Sequence, residues 1–188
     1  MSKTLMLFLF IFALIKGKEE SNIYKEDKDD ISLCMVGDLL IHRNLTNYAY
    51  NEKTDSYNFD FMFENIEKYI KQYDMKVINE EVLIAGRKYG ISDYPKFNSP
   101  FELSEAVVKS GFNIILKATN HINDLNSTDA IKDDLNNWKT NYPNVLVTGA
   151  YTSEKEYNKI TFFEKNRIKI ALLNYCYGSN IPLIIIIQ

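Results

Sequence analysis

The sequence predicts an α/β fold with a largely parallel sheet. Short apolar runs rich in Ile and Val recur from residue 31 onward, and segments with helical spacing of apolar residues lie between them. Strands that alternate with helices are typical of parallel sheets, because a parallel crossover usually contains a helix. A late pair of apolar runs flanks the polar residues 164–167, which predicts an antiparallel hairpin.

The strands are predicted from β-branched apolar runs that end at small or polar residues. The first run ends at Gly37 and Asp38, and the third is followed by a polar stretch that contains Asn120 and His121. In chain order, the predicted strands span residues 31–36, 76–79, 113–117, 144–148, 157–163 and 168–175.

Three helices are predicted from apolar residues at intervals of three and four. The second is predicted to start with Ser99 as its cap and Pro100 at its first position, and to end at Gly111. A capping-type sequence, Ser-Thr-Asp at residues 127–129, precedes the third. In chain order, the predicted helices span residues 59–73, 99–111 and 130–142.

The two ends of the chain differ in composition from the rest. Lys3 and an unbroken apolar run over residues 5–15 predict export, either by a signal peptide or with residues 1–17 kept as a short membrane anchor. The charge-dense residues 18–30 predict a solvated linker. Residues 183–188 form an isoleucine-rich tail that would favour aggregation if exposed, and we expect the chain to be truncated or frame-shifted there.

Composition limits the classes of partner. The 188 residues suffice for one domain, and their net charge of −3 without a basic stripe argues against a nucleic-acid partner. The two cysteines, Cys34 and Cys176, lie in apolar runs, which predicts buried free thiols. A disulfide between them would require adjacent strands with facing Cβ atoms.

Polar residues follow the ends of three predicted strands. Asp38 and His42 follow the first strand, Asn79 and Glu81 the second, and Asn120 and His121 the third. Because the carboxyl ends of parallel strands meet at one edge of a sheet, these side chains are expected to lie together within roughly 10 Å, the scale of a two-metal site. Each also has a simpler interpretation: a turn or helix-cap aspartate, a solvated carboxylate such as Glu80, or a structural histidine.

Carboxylates, amides and imidazoles in one place predict metal-assisted hydrolysis. Carboxylate and amide oxygens suit one or two divalent cations, which activate water. The imidazole would bind the metal or protonate a leaving group.

Several motifs occur in the order seen in one protein family. The chain resembles the CapA-type capsule-synthesis proteins, which are associated with poly-γ-glutamate production, over about residues 31–182. Together in register, the motifs are more specific than any one of them. They are residues 37–42 (GDLLIH), 79–81 (NEE), 94–100 (YPKFNSP), 110–113 (SGFN), 118–124 (ATNHIND), 148–150 (TGA) and 169–175 (KIALLNY).

The resemblance implies a metallophosphatase-like α/β/β/α sandwich at the outer envelope or cell surface. It implies a divalent metal (Mn, Fe or Zn) and partnership with the capsule polymer or its synthesis machinery, with membrane association through residues 5–15 as a further expectation. The residues concerned are His121 for catalysis, Asp38, Glu81, Asn120 and His42 for metal binding, and Asn79 and Asp124 for substrate binding or support of the ligands.

The chain departs from the family pattern in two places. Thr119 stands where the family usually has the first of two Asn residues, and the family's second half, with further His-rich motifs, is missing. We therefore expect only the N-terminal half to two-thirds of the sandwich and an incomplete metal site. Without its remainder, such a product would be aggregation-prone or marginally folded.

Two functions remain open at this point. One is a metal-dependent hydrolase or transferase acting on a phosphate ester or an amide of a capsule polymer. The other is a non-catalytic accessory subunit that holds the polymer or its partners. The same scaffold can host either function.

Overall fold

A computed structural model describes residues 30–182 of the chain. Its elements, in chain order, are β1 (Leu33–Asp38), α1 (Arg43–Ala49), β2 (Tyr50–Asn51), β3 (Ser56–Tyr57), α2 (Glu67–Ile70), β4 (Met75–Asn79), α3 (Glu102–Lys109), β5 (Ile114–Leu116), α4 (Thr128–Asn141), β6 (Leu146–Thr148), α5 (Glu154–Tyr157), β7 (Thr161–Lys165) and β8 (Ile168–Leu172). The predicted signal or anchor segment, nearly all of the linker and the apolar tail lie outside the described residues. None of the described helices is long and apolar enough to span a membrane.

The central sheet contains four parallel strands in the order β1-β4-β5-β6. Asp38 pairs with Asn79, Asn79 with Leu116, and Leu116 with Thr148, so the carboxyl ends of all four strands are level. Strands β7 and β8 form the separate antiparallel hairpin. The predicted α/β fold, with its parallel sheet and late antiparallel pair, is confirmed.

Apolar side chains cover both faces of the central sheet. On one face, Ile78 and Ile115 pack with Leu103 of α3 and Trp138 of α4. On the other, Val77 and its neighbours pack against apolar residues of the hairpin. Each fully buried side chain of this kind contributes about 1.5–3 kcal/mol to stability. The described residues thus form a helical layer, a parallel sheet and an antiparallel hairpin, in that order.

The outer face of the hairpin is not covered within residues 30–182. Phe162, which pairs with Ala171, is partly exposed, and Leu173 and Tyr175 beyond β8 are strongly exposed. The prediction that Cys176 is buried is therefore wrong: β8 ends at Leu172, so Cys176 lies beyond the sheet and is exposed. Both cysteines are free thiols, and Cys34 is half-buried.

The prediction of one continuous helix over residues 59–73 is wrong. The segment instead forms a 3-10 turn at Asp60–Met62 and the short helix α2. The bond from the Met62 amide to the Phe59 carbonyl has three-residue spacing, and the Asn58 side chain accepts a bond from the Asp60 amide. This tighter winding buries both Phe59 and Phe63. The Asn58 side chain also takes the Asp60 amide as a partner, which disfavours a continuous helix.

The predicted start of the second long helix is also wrong. Helix α3 begins at Glu102, and its cap position is Phe101 without a side-chain cap bond. The Ser99 backbone binds elsewhere, donating to the Leu83 carbonyl and accepting from the Gly86 amide. For α4, by contrast, Ser127 does cap the helix by accepting a bond from the Ala130 amide at 3.2 Å.

Asp74 joins the start of β1 to the hairpin. Its carboxylate accepts bonds from the Ser32 amide at 2.8 Å and the Ser32 hydroxyl at 2.7 Å, and it pairs with Lys165 of β7. The Lys165 ammonium group, followed by the Ser32 donors, holds the pKa of Asp74 well below its usual range.

Asp74→Asn is expected to remove part of the acid sensitivity of the fold. Because the folded pKa is lower than the unfolded value near 4, the stabilisation is present above about pH 4 and is lost as the pH falls below it. Urea unfolding at pH 6 should show the variant less stable by about 1 kcal/mol after solvent screening, with the difference shrinking towards pH 3. Glu52→Gln, which changes an exposed carboxylate, is the control; equal pH dependence of both variants would contradict this account.

Candidate functional site

The ends of β1 and β4 bring two carboxylates to one amide. Asp38 and Asn79 are directly paired across the two strands, and Glu81 follows Asn79 by two residues. The Asn79 side-chain Nδ2 donates to Asp38 Oδ1 at 2.7 Å and to Glu81 Oε2 at 3.0 Å. Three of the residues predicted from strand ends are therefore in direct contact.

The electrostatics of Glu81 connect this cluster to His121. Partial burial and then the negative charge of Asp38 raise the pKa of Glu81, and His121 and the Asn79 hydrogen bond act in the opposite direction. Asp124 adds further negative charge nearby. The three carboxylates Asp38, Glu81 and Asp124 thus form an acidic group beside the His121 imidazole, and a bound cation would relieve the repulsion between them.

His121 is held by a buried carboxylate. Its Nδ1 lies 2.7 Å from Asp124 Oδ2, which also accepts the Phe97 amide at 2.9 Å. Asp124 is 1% exposed, and its Oδ1 has no hydrogen-bond partner among the described residues. Because a carboxylate only accepts, the neutral imidazole places its proton on Nδ1, which leaves Nε2 with a free lone pair.

Thr119 and Asn120 fix the loop that contains His121. The hydroxyl of Thr119 donates to the Glu81 carbonyl at 3.0 Å and accepts the His121 amide at 3.2 Å. Thr119 therefore links the ends of β4 and β5, although it departs from the family motif. The Asn120 Nδ2 donates to Asn180 Oδ1 at 3.2 Å.

His42 lies at the edge of this arrangement. Its Nδ1 is 3.0 Å from Asp93 Oδ1, and its side chain is about half exposed. The buried Phe97 ring makes T-shaped contacts with both imidazoles, with centroid distances of 5.2 Å to His42 and 4.9 Å to His121. His42 thus packs on the same ring as His121 but is oriented by Asp93.

The donor set fits a divalent cation only in part. Within residues 30–182, no group of three or more His, Cys, Asp or Glu side chains is arranged to hold a metal ion. Asp38 and Glu81, held 2.7 Å and 3.0 Å from one amide nitrogen, supply two hard oxygen ligands. Carboxylate and amide oxygens together with water are ligands that suit Mn²⁺, and two carboxylates suffice for a cation that keeps several waters.

Sequence reasoning missed a buried charge network directly behind the site. Lys117 pairs with Glu80 and Asp134, and all three side chains are at most 1% exposed. The Trp138 indole also donates to Glu80 at 2.8 Å. Burial, followed by the Asp134 charge, raises the pKa of Glu80 to about 8. The solvated interpretation of Glu80 is therefore wrong; a lysine that ends an apolar strand run was the available signal.

A close contact after β6 was also missed. The Asn174 side-chain oxygen accepts the amides of Lys117 and Ala118 at 3.0 and 2.7 Å. Gly149 adopts φ +103°, and a Cβ there would lie 2.1 Å from Asn174 Oδ1 and 2.5 Å from the Ala118 amide. Glycine is required at this position because both the backbone angle and the space exclude a side chain.

Comparison with protein families gives a match over most of the chain. A family model described as bacterial capsule synthesis protein PGA_cap matches residues 32–183. A search of the curated proteins finds no match. The matched range includes all eight strands and every candidate residue described above.

Proposed function

The chain belongs to the bacterial capsule synthesis protein family PGA_cap, whose fold is metallophosphatase-like, and from this premise we propose that it acts on a capsule polymer through the site at the ends of β1, β4 and β5. The reaction class we propose is metal-dependent hydrolysis or transfer at a phosphate ester or amide, with a poly-γ-glutamate-type polymer as substrate. The observation that supports it is the Asn79 amide joining Asp38 and Glu81 beside His121.

Asp38 and Glu81 would hold the cation, with the Asn120 amide oxygen as a further ligand. When bound, Mn²⁺, Fe²⁺ or Zn²⁺ would supply Lewis-acid activation of water and of the reacting oxygen. His121 would transfer a proton at Nε2, since Nδ1 is engaged by Asp124. The buried Asp124 carboxylate would stabilise the imidazolium that forms and keep the ring oriented.

A non-catalytic accessory role is the second candidate. It is favoured by the observation that no complete group of metal-binding side chains occurs within residues 30–182. In that role the same strand ends would bind the polymer or a partner of the capsule machinery without turnover.

The location is part of the proposal. The apolar run over residues 5–15 supports export to the cell surface, with or without retention in the membrane. Protease treatment of intact cells should degrade the protein if it is exposed outside the membrane, whereas protection until lysis would contradict export.

Metal binding tests the proposed chemistry. Titration of the full chain with Mn²⁺, followed by calorimetry, should give about one ion per chain, and Asp38→Asn and Glu81→Gln should each weaken binding at least tenfold because each removes a charged ligand. Glu164→Gln, an exposed carboxylate on β7, is the matched control and should bind normally. Absence of Mn²⁺, Fe²⁺ and Zn²⁺ binding in a folded wild-type chain would favour the accessory role.

A further inference from the structure

The segment over residues 174–182 covers the loop that contains Asn120 and His121. At one end, Asn174 binds the backbone where β5 finishes. At the other, Asn123 Nδ2 donates to the carbonyls of Ile181 and Pro182 at 3.2 and 3.1 Å. Asn123 is buried, so these bonds are sheltered from water.

Asn180 makes the most direct contact with the candidate site. Its amide N–H donates to the Asn120 carbonyl at 2.7 Å, and its Oδ1 accepts from Asn120 Nδ2 at 3.2 Å. Its own Nδ2 lies 3.3 Å from His121 Nδ1. One residue, 60 positions along the chain, therefore contacts both members of the Asn-His pair.

These contacts determine which atom of Asn120 remains available. An asparagine amide has a donor end and an acceptor end, and the hydrogen-bond network decides which way it points. Because Asn180 Oδ1 engages the nitrogen of Asn120, the oxygen of Asn120 stays free of hydrogen bonds within the described residues. An oxygen is the atom that a hard cation requires.

The contact with His121 is secondary to that of Asp124. Nδ1 donates its proton to the Asp124 oxygen at 2.7 Å, so it has no lone pair to offer Asn180 Nδ2, which is itself only a donor. The 3.3 Å approach of Asn180 Nδ2 is therefore a packing contact, and it does not decide where the imidazole proton resides. Asn180 packs beside Nδ1, and neither this contact nor the Asp124 bond involves Nε2.

We propose that Asn180 is a positioning residue that orients the Asn120 amide oxygen and the His121 ring for catalysis. This inference rests on the proposed function for the roles of Asn120 and His121. The outer partners of metal ligands commonly change metal affinity by about 10–100-fold when removed.

The test compares Asn180→Ala, Asn180→Asp and Ser179→Ala in the full chain. Alanine removes the side-chain contacts but keeps the main-chain bond to Asn120, and aspartate keeps an oxygen that can accept from Asn120 Nδ2. Among residues 30–182, the Ser179 hydroxyl donates to the Ile181 carbonyl of its own segment and not to Asn120 or His121, so its variant is the matched control. The readouts are Mn²⁺ affinity and the imidazole ¹⁵N resonances; the chain has two histidines, so His42 serves as the internal reference.

Asn180→Ala should weaken Mn²⁺ binding about tenfold and shift the His121 resonances but not those of His42. Asn180→Asp should recover most of the affinity, and Ser179→Ala should match wild type. Wild-type affinity and His121 resonances in Asn180→Ala, or equal changes in Ser179→Ala, would overturn the proposal. If the wild-type chain binds no Mn²⁺, the proposed metal chemistry fails, and the His121 resonances alone then decide whether Asn180 positions the ring.

Discussion

Lys117→Met is expected to lower the free energy of unfolding by about 3–5 kcal/mol, because it leaves the buried Asp134 charge and its neighbour Glu80 without the cation that pairs with them. Lys117 is 1% exposed and pairs with Glu80 and Asp134, whose side chains are inaccessible to solvent. Burial disfavours the ammonium ion, but Asp134 and Glu80 outweigh this and raise the pKa of Lys117. The lysine is therefore charged in the folded protein, and methionine of similar length cannot replace it.

Urea unfolding at neutral pH measures this loss. Lys88→Met is the matched control: Lys88 pairs with Asp133 on the surface, with 70% of the lysine side chain exposed, and its loss should destabilise the fold far less than loss of Lys117. A Lys117→Met variant within 1 kcal/mol of wild type would show that the carboxylates are neutral or hydrated without the lysine.

The buried network of Lys117, Glu80 and Asp134 lies next to the candidate site along the chain. Glu80 is adjacent to Glu81, and Lys117 immediately precedes the loop that leads to Asn120. Through Glu80 and Asp134, the lysine ties the ends of β4 and β5 to α4, and Trp138 adds a bond from the same helix. Loss of Lys117 should therefore also increase the freedom of the Glu81 side chain to move.

Phe97→Ala should cost about 3–5 kcal/mol of stability, the usual range for a buried phenylalanine. Phe97 is 1% exposed, and its ring packs edge-on against both His42 and His121. A cavity there would remove the surface against which both imidazoles pack. Edge-to-face contacts between aromatic rings also contribute about 0.5–1.5 kcal/mol in addition to the stabilisation from buried apolar area.

Two measurements check this prediction. Urea unfolding gives the stability loss, and the imidazole ¹⁵N resonances of both histidines should shift together. Tyr48→Ala removes an aromatic ring that is 75% exposed and packs on Phe61, so it should cost under about 1 kcal/mol and leave both resonances unchanged. A shift of only one histidine would contradict a shared packing surface.

The parallel sheet could be predicted because the residue pattern of each strand lies within a short stretch of sequence. β-Branched runs at residues 76–79 and 113–117 match β4 and β5 to within two residues, and the strand-end rule correctly brings Asp38, Asn79 and Glu81 into contact. The helix predicted over residues 59–73 could not be corrected from sequence. Its apolar spacing is helical, yet burial of both Phe59 and Phe63 against the core favours tighter turns.

The remaining parts of the site depend on contacts between distant residues. Nothing near Lys117 in sequence reveals that Glu80 and Asp134, 37 and 17 residues away, neutralise it. Asn180 likewise looks like an ordinary loop residue until the chain brings it to Asn120. Single-sequence patterns report periodicity and strand ends, whereas pairing of buried polar groups is a tertiary property.

The separation of the partners has a consequence for the folding order. Asp38 and Asn79 are 41 residues apart, and Asn120 and Asn180 are 60 apart, so no local segment can form the cluster early. Contacts of this range slow folding, because the entropy of loop closure is lost before they form. During synthesis, the first carboxylate leaves the ribosome more than a hundred residues before the amide that fixes Asn120. Binding of the proposed metal would therefore report completion of the tertiary structure, because the strands form before the site does.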